Sequence, residues 1–113
     1  MARSNKPIVW SLFAAGGTLA AFAAPVLAAV FLAAALGHAP PGFDFDRAQS
    51  LAGHWAGKAI LGGTVILFLW HAAHRLRITL HDVGLRADTM AAVVLYLGAA
   101  IASVLAVIAL VRI

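Results

Sequence analysis

Residues 69–82 read Leu69-Trp70-His71-Ala72-Ala73-His74-Arg75-Leu76-Arg77-Ile78-Thr79-Leu80-His81-Asp82, and they close a long apolar run. The stretch gathers Trp70, His71, His74, Arg75, Arg77, His81 and Asp82 within fourteen positions. At about 100° per residue, Trp70, His74, Arg77 and His81 share one helical face, and His71, Arg75 and Asp82 take the neighbouring one. In so apolar a chain this is where polar chemistry concentrates. The rest of the sequence reads as the scaffold that holds the cluster at one edge of a bilayer.

Composition sets the class. Of 113 residues 64% are apolar, and the mean hydropathy is +0.98, well above a water-soluble domain. The eight Lys and Arg and four Asp and Glu are gathered between long uncharged runs, whose lengths indicate membrane spans rather than a buried core. A net charge of +4 and a pI near 10.8 come without a basic helix or stripe. They therefore signal loop charges obeying the positive-inside rule, not nucleic acid. The absence of Cys excludes disulfides, thiolate metal sites and iron–sulfur ligation by this chain.

The first span is expected at about 8–37. It stays uncharged for 29 positions from Ile8 to Leu36, whereas a signal-peptide apolar region runs about 7–15. Pro7 suits a helix start, Pro25 removes one donor inside the helix, and Gly16-Gly17 lets a neighbour approach closely. Trp10 falls at headgroup depth. In the following loop Pro40, Pro41 and Gly42 stop the helix, and Asp44 and Asp46 read as solvated turn residues without a third ligand for a metal. The second span is expected at about 47–77, with Gly53 and Gly57 marking a packed side. Lys58 lies about 24 Å from His74 along the helix and snorkels to the opposite interface. The third span is expected at about 88–111, with Gly98, Ala102 and Ser103 on a small-residue edge. The expected fold is one all-α membrane domain, 1–113, of three transmembrane helices.

What can the cluster do at that depth? A quinone presents two carbonyl oxygens near the headgroups. Indole, imidazole and guanidinium N–H groups supply donors to them, and an imidazole can take up a proton as a quinol is oxidised. The same residues also suit an aromatic belt and orientation charges. No metal site is expected.

A second pattern bears on that choice. The segment Pro7-Ile8-Val9-Trp10-Ser11-Leu12-Phe13-Ala14-Ala15-Gly16-Gly17, followed by Ala24-Pro25-Val26, resembles the opening of the fumarate reductase D-subunit family, the smaller membrane anchor of bacterial quinol:fumarate reductase. Leu69-Trp70, His74-Arg75 and His81-Asp82 resemble that family's second-helix end, and length and three-span layout agree along nearly the whole chain. The family's first glycine in the opening motif is Ala14 here, and its His-rich segment becomes Leu76-Arg77-Ile78.

The resemblance implies a multi-pass anchor in the bacterial inner membrane with no catalytic centre of its own. Its implied partners are a second three-helix anchor of the C type, an iron–sulfur subunit and a flavoprotein subunit, which serve anaerobic fumarate respiration. Menaquinol would sit at the interface with the partner anchor, FAD and Fe–S clusters would belong to other subunits, and no haem is expected. Trp10, His74 and Arg75 match positions lining the quinol pocket, with Trp70, His71 and His81 as secondary candidates. Within the chain, His54 and His71 stand about 25 Å apart along one helix, too far to share an iron. A succinate dehydrogenase anchor is the nearest alternative. A small transporter or pore would need a polar or acidic mid-span residue, and the spans carry none.

Orientation follows from the charges. The N-terminal tail and second loop, with its flanks, carry Arg3, Lys6, Arg75, Arg77 and Arg86, against Arg47, Lys58 and Arg112 on the other side. This excess predicts a cytoplasmic N-terminus and a periplasmic C-terminus. A reporter fused after Ile113, or inserted within 40–43, should be active only outside the cytoplasm. Cytoplasmic activity at either position overturns the orientation.

Overall fold

A computed structural model describes residues 4–113; Arg3, one of the charges counted above, lies outside the described residues. The chain forms α1 (Lys6–Ala35), α2 (Phe45–Gly53), α3 (Trp55–Asp82) and α4 (Asp88–Arg112). No strand occurs among the described residues. Helices α1, α3 and α4 are long and apolar enough to cross a membrane, which is the expected three-span, all-α membrane fold. Their 30, 28 and 25 residues correspond to about 45, 42 and 38 Å, more than the ~30 Å hydrocarbon layer.

Helix α3 is the middle element, packed against α1 on one side and α4 on the other. Packing is by small residues. Gly16, Gly62, Ala73 and Ala99 are the buried positions among the described residues, and large side chains such as Phe22 and Phe31 face outward. That is how membrane helices associate: backbones approach where side chains are small, and the apolar remainder meets lipid. A Cβ on Gly16 would fall 2.7 Å from the Leu67 carbonyl oxygen and 3.1 Å from His71 Cβ. The α1–α3 contact therefore runs almost backbone to backbone. Ser11, Thr79 and Ser103 turn their hydroxyls back onto the carbonyls of Pro7, Arg75 and Ala99, which keeps these donors satisfied in an apolar setting.

The helix ends depart from the expected bounds for identifiable reasons. Helix α1 stops at Ala35 rather than 37 because Gly37 adopts φ +81. The N–H groups of Gly37 and His38 then close on the carbonyls of Ala34 and Ala33, a Schellman cap. Helix α3 continues past 77 to Asp82, since the next left-handed glycine is Gly84 (φ +95). It closes there in the same way, with Gly84 and Leu85 bonding His81 and Leu80.

The larger correction concerns the expected continuous helix over 47–77. It breaks at His54, whose extended backbone (φ −72, ψ 143) ends α2 and starts α3. Its Nδ1 accepts from Ala56 N at 3.2 Å, capping the new helix as an Asn would. Gly57 accommodates the turn, because a Cβ there would collide with the Leu51 carbonyl oxygen. Gly57 thus serves a helix break rather than a flat packing face, and a Cβ on Gly53 would meet only Ile113, at 3.9 Å. Asp44 is the N-cap of α2, accepting from Arg47 N at 2.8 Å, and Asp46 lies in its first turn rather than in the loop. The physical reason for the break is polarity: Asp46, Arg47, Gln49 and Ser50 belong in water, whereas α3 belongs in lipid.

Gly16→Val should push α1 off α3. We expect a loss of about 1–3 kcal/mol, the usual scale of overpacking, seen as a lower thermal midpoint in detergent. Gly63→Val, where a Cβ meets nothing within 4 Å, should cost far less.

Candidate functional site

The two faces of residues 69–82 meet different neighbours. His71 faces α1, where its ring lies against Gly17, with Cε1 2.7 Å from where a Cβ would stand. Its Nδ1 lies 3.2 Å from the Phe13 carbonyl oxygen. A carbonyl only accepts, so Nδ1 donates, and in the neutral imidazole Nε2 is left as an acceptor. Trp70, His74 and Arg77 face α4. His74 Nδ1 shares a 2.8 Å hydrogen bond with the Tyr96 hydroxyl, and Trp70 stacks on the Tyr96 ring at 5.9 Å and 18°.

Phe13 joins the two sides. Its ring stacks on His71 at 4.6 Å and meets His74 edge-on at 4.5 Å, geometries that suit ring quadrupoles. Trp10 stacks on Phe13 at 5.2 Å and is otherwise exposed. One line of rings therefore runs from Trp10 on α1, across both histidines of α3, to Tyr96 on α4.

Arg77 closes the line. Its Nε and Nη2 donate to the two carboxylate oxygens of Asp88 at 2.9 and 2.6 Å. Its guanidinium carbon lies 5.8 Å from the Tyr96 ring centre, within cation–π range. The pair is 32% and 42% exposed, so water screens it and its role is chiefly geometric. His74, Arg77, Ile78, His81 and Asp88 line a groove of about 340 Å³. A second, apolar hollow of about 820 Å³ lies beside Asn5, Lys6, Pro7, Val9 and Trp10.

Of the residues singled out from sequence, Trp10, Trp70, His71 and His74 share this aromatic assembly, and His81 borders the groove. Arg75 stands apart. It is exposed, one helical turn beyond His71 on the α1 side, and its side chain makes no hydrogen bond among the described residues. Phe13 was legible only as part of a motif. Tyr96 and Asp88 were missed, although Tyr96 is the chain's only tyrosine and stands in a predominantly apolar span. No group of three or more potential metal ligands occurs among the described residues.

The Arg77–Asp88 pair should join the ends of α3 and α4. Arg77→Leu leaves the Asp88 carboxylate unpaired and should lower the thermal midpoint in detergent. Adding Asp88→Leu should recover part of that loss. Full additivity of the two changes would rule out a working pair.

Comparison with known proteins converges on one family. The family model described as the D subunit of fumarate reductase matches residues 1–111. The fumarate reductase D subunit of Vibrio cholerae is 35% identical over 108 residues, covering 94% of this chain and 83% of its own. The D subunits of Aliivibrio fischeri and Shewanella putrefaciens are each 33% identical over 108 residues, covering 94% of this chain and 90% and 89% of theirs. With three membrane-spanning helices and this match along almost its whole length, the chain belongs to the fumarate reductase D-subunit family, and is a membrane-anchor subunit of that complex.

Proposed function

We propose that the chain anchors the flavoprotein and iron–sulfur subunits of a fumarate reductase to the bacterial inner membrane, and that it forms one wall of a menaquinol site completed by a second, C-type anchor. The observation that carries this reading is the line of rings from Trp10 through Phe13, His71 and His74 to Tyr96 at one end of the bundle. It combines what a quinol head needs. Flat apolar surfaces flank the ring, and N–H donors stand at their rim for the oxygens. The residues present fit the group: Trp10 offers an indole N–H, His74 an imidazole nitrogen, and Arg75 a guanidinium with no partner of its own among the described residues.

When bound, menaquinol would supply the electrons for fumarate reduction. This chain's residues bind and orient. Trp10 and Phe13 exclude water from one face of the head, and Arg75 donates a charge-assisted hydrogen bond. His71, whose Nδ1 donates to the Phe13 carbonyl oxygen, offers Nε2 as an acceptor in its neutral form. Direct electron chemistry is assigned to none of them.

The test is Arg75→Leu in the complex that a tagged chain co-purifies. Quinol-linked turnover is normalised to dye-linked fumarate reduction in the same sample, which reports assembled flavoprotein. A charged donor to a quinol oxygen contributes roughly 1.5–3 kcal/mol, and about 1.4 kcal/mol is a factor of ten. We expect a loss of at least tenfold in quinol kcat/KM, and a smaller loss for Arg77→Leu, whose guanidinium is already held by Asp88. Small and equal effects would reduce both arginines to orientation charges.

A further inference from the structure

We propose that Tyr96 is a positioning residue for the quinol site, acting through His74. Its hydroxyl donates to His74 Nδ1 and so holds the imidazole in the tautomer that keeps a proton on Nε2, ready to donate to a quinol oxygen. The inference rests on the reading of His74 as a quinol ligand, but adds a residue from α4, a helix that contributed nothing to the site read from sequence.

Three observations support this arrangement, and the second of them bears on the direction of the bond. The Tyr96 hydroxyl and His74 Nδ1 are 2.8 Å apart, and two neutral groups at that distance must divide donor and acceptor roles between them. The Arg77 guanidinium, 5.8 Å from the Tyr96 ring centre, draws electron density from the phenol. That makes the hydroxyl a better donor and a poorer acceptor. Both groups are flanked by packed neighbours. Trp70 stacks on Tyr96, Phe13 packs edge-on against His74, and Asp88 grips Arg77 through two hydrogen bonds. Second partners of this kind fix ring orientation and tautomer in other imidazole sites. With Nδ1 occupied, Nε2 on the opposite side of the ring is the atom left for the ligand. His71 is the converse case, its Nδ1 donating to the Phe13 carbonyl oxygen. The two histidines thus offer one donor and one acceptor, the pair that a quinol hydroxyl uses.

The test uses the intact complex and a water-dispersible menaquinol analogue, with activity normalised to dye-linked fumarate reduction. Tyr96→Phe keeps the ring and removes only the hydroxyl. We expect the quinol KM to rise about fivefold, the scale of one neutral hydrogen bond, with kcat within about twofold because the bond serves binding. His74→Ala should raise KM further, and Tyr96→Phe added to it should change nothing more, since its effect runs through His74. An unchanged KM in Tyr96→Phe beside a raised KM in His74→Ala would overturn the positioning role and leave the quinol site standing. Unchanged KM in both would remove His74 from the site, and this inference with it. Full additivity of the two substitutions would make Tyr96 a packing residue and also overturn the proposal.

Discussion

A side chain on Gly16 would occupy the space already taken by the Leu67 carbonyl oxygen and His71 Cβ, and one on Gly17 would meet the His71 ring itself. The organisation of the site depends on those missing side chains. They let α1 and α3 touch along their backbones, which brings Phe13 into register with both His71 and His74 and carries Trp10 along the same face. In a bilayer no hydrophobic effect drives helices together, so close approach, dispersion and a few polar contacts must suffice. The hydrogen bond from His71 to the Phe13 carbonyl oxygen is one of those contacts. It joins helix packing and imidazole orientation in a single interaction.

Because α3 lies between the other spans, its two polar faces are both used, for different purposes. The α4 side holds Trp70, His74 and Arg77 in a rigid set braced by Tyr96 and Asp88. The α1 side presents His71 and then Arg75, whose side chain is exposed. The arrangement sets one exposed charge beside a hydrogen-bonded group of rings.

The class, the three spans and the two faces of residues 69–82 were legible because apolar run length and helical period are one-dimensional signals. Gly16-Gly17 was legible for the same reason. The break at His54 was not. A Gly-x-x-x-Gly spacing inside a membrane helix usually marks packing, and only the fold reveals that Gly57 makes room for the Leu51 carbonyl. Helical period put Arg75 and Arg77 on different faces, and the family resemblance matched Arg75 alone, but neither signal shows what holds Arg77. Its partner is Asp88, eleven residues beyond Arg77 and on another helix. Tyr96 escaped notice because its partner, His74, is twenty-two positions away, and nothing in either local pattern links them.

The burial of only glycine and alanine among the described residues has a calorimetric consequence. Large apolar side chains face lipid when the helices are packed, and they still face lipid when the helices separate. Separation therefore hydrates little hydrocarbon. The heat-capacity increment, about 12–15 cal/mol/K per residue for a water-soluble domain, should nearly vanish for this bundle. Its stability should then vary almost linearly with temperature, without the dome that gives soluble proteins an optimum and a cold-denaturation limit.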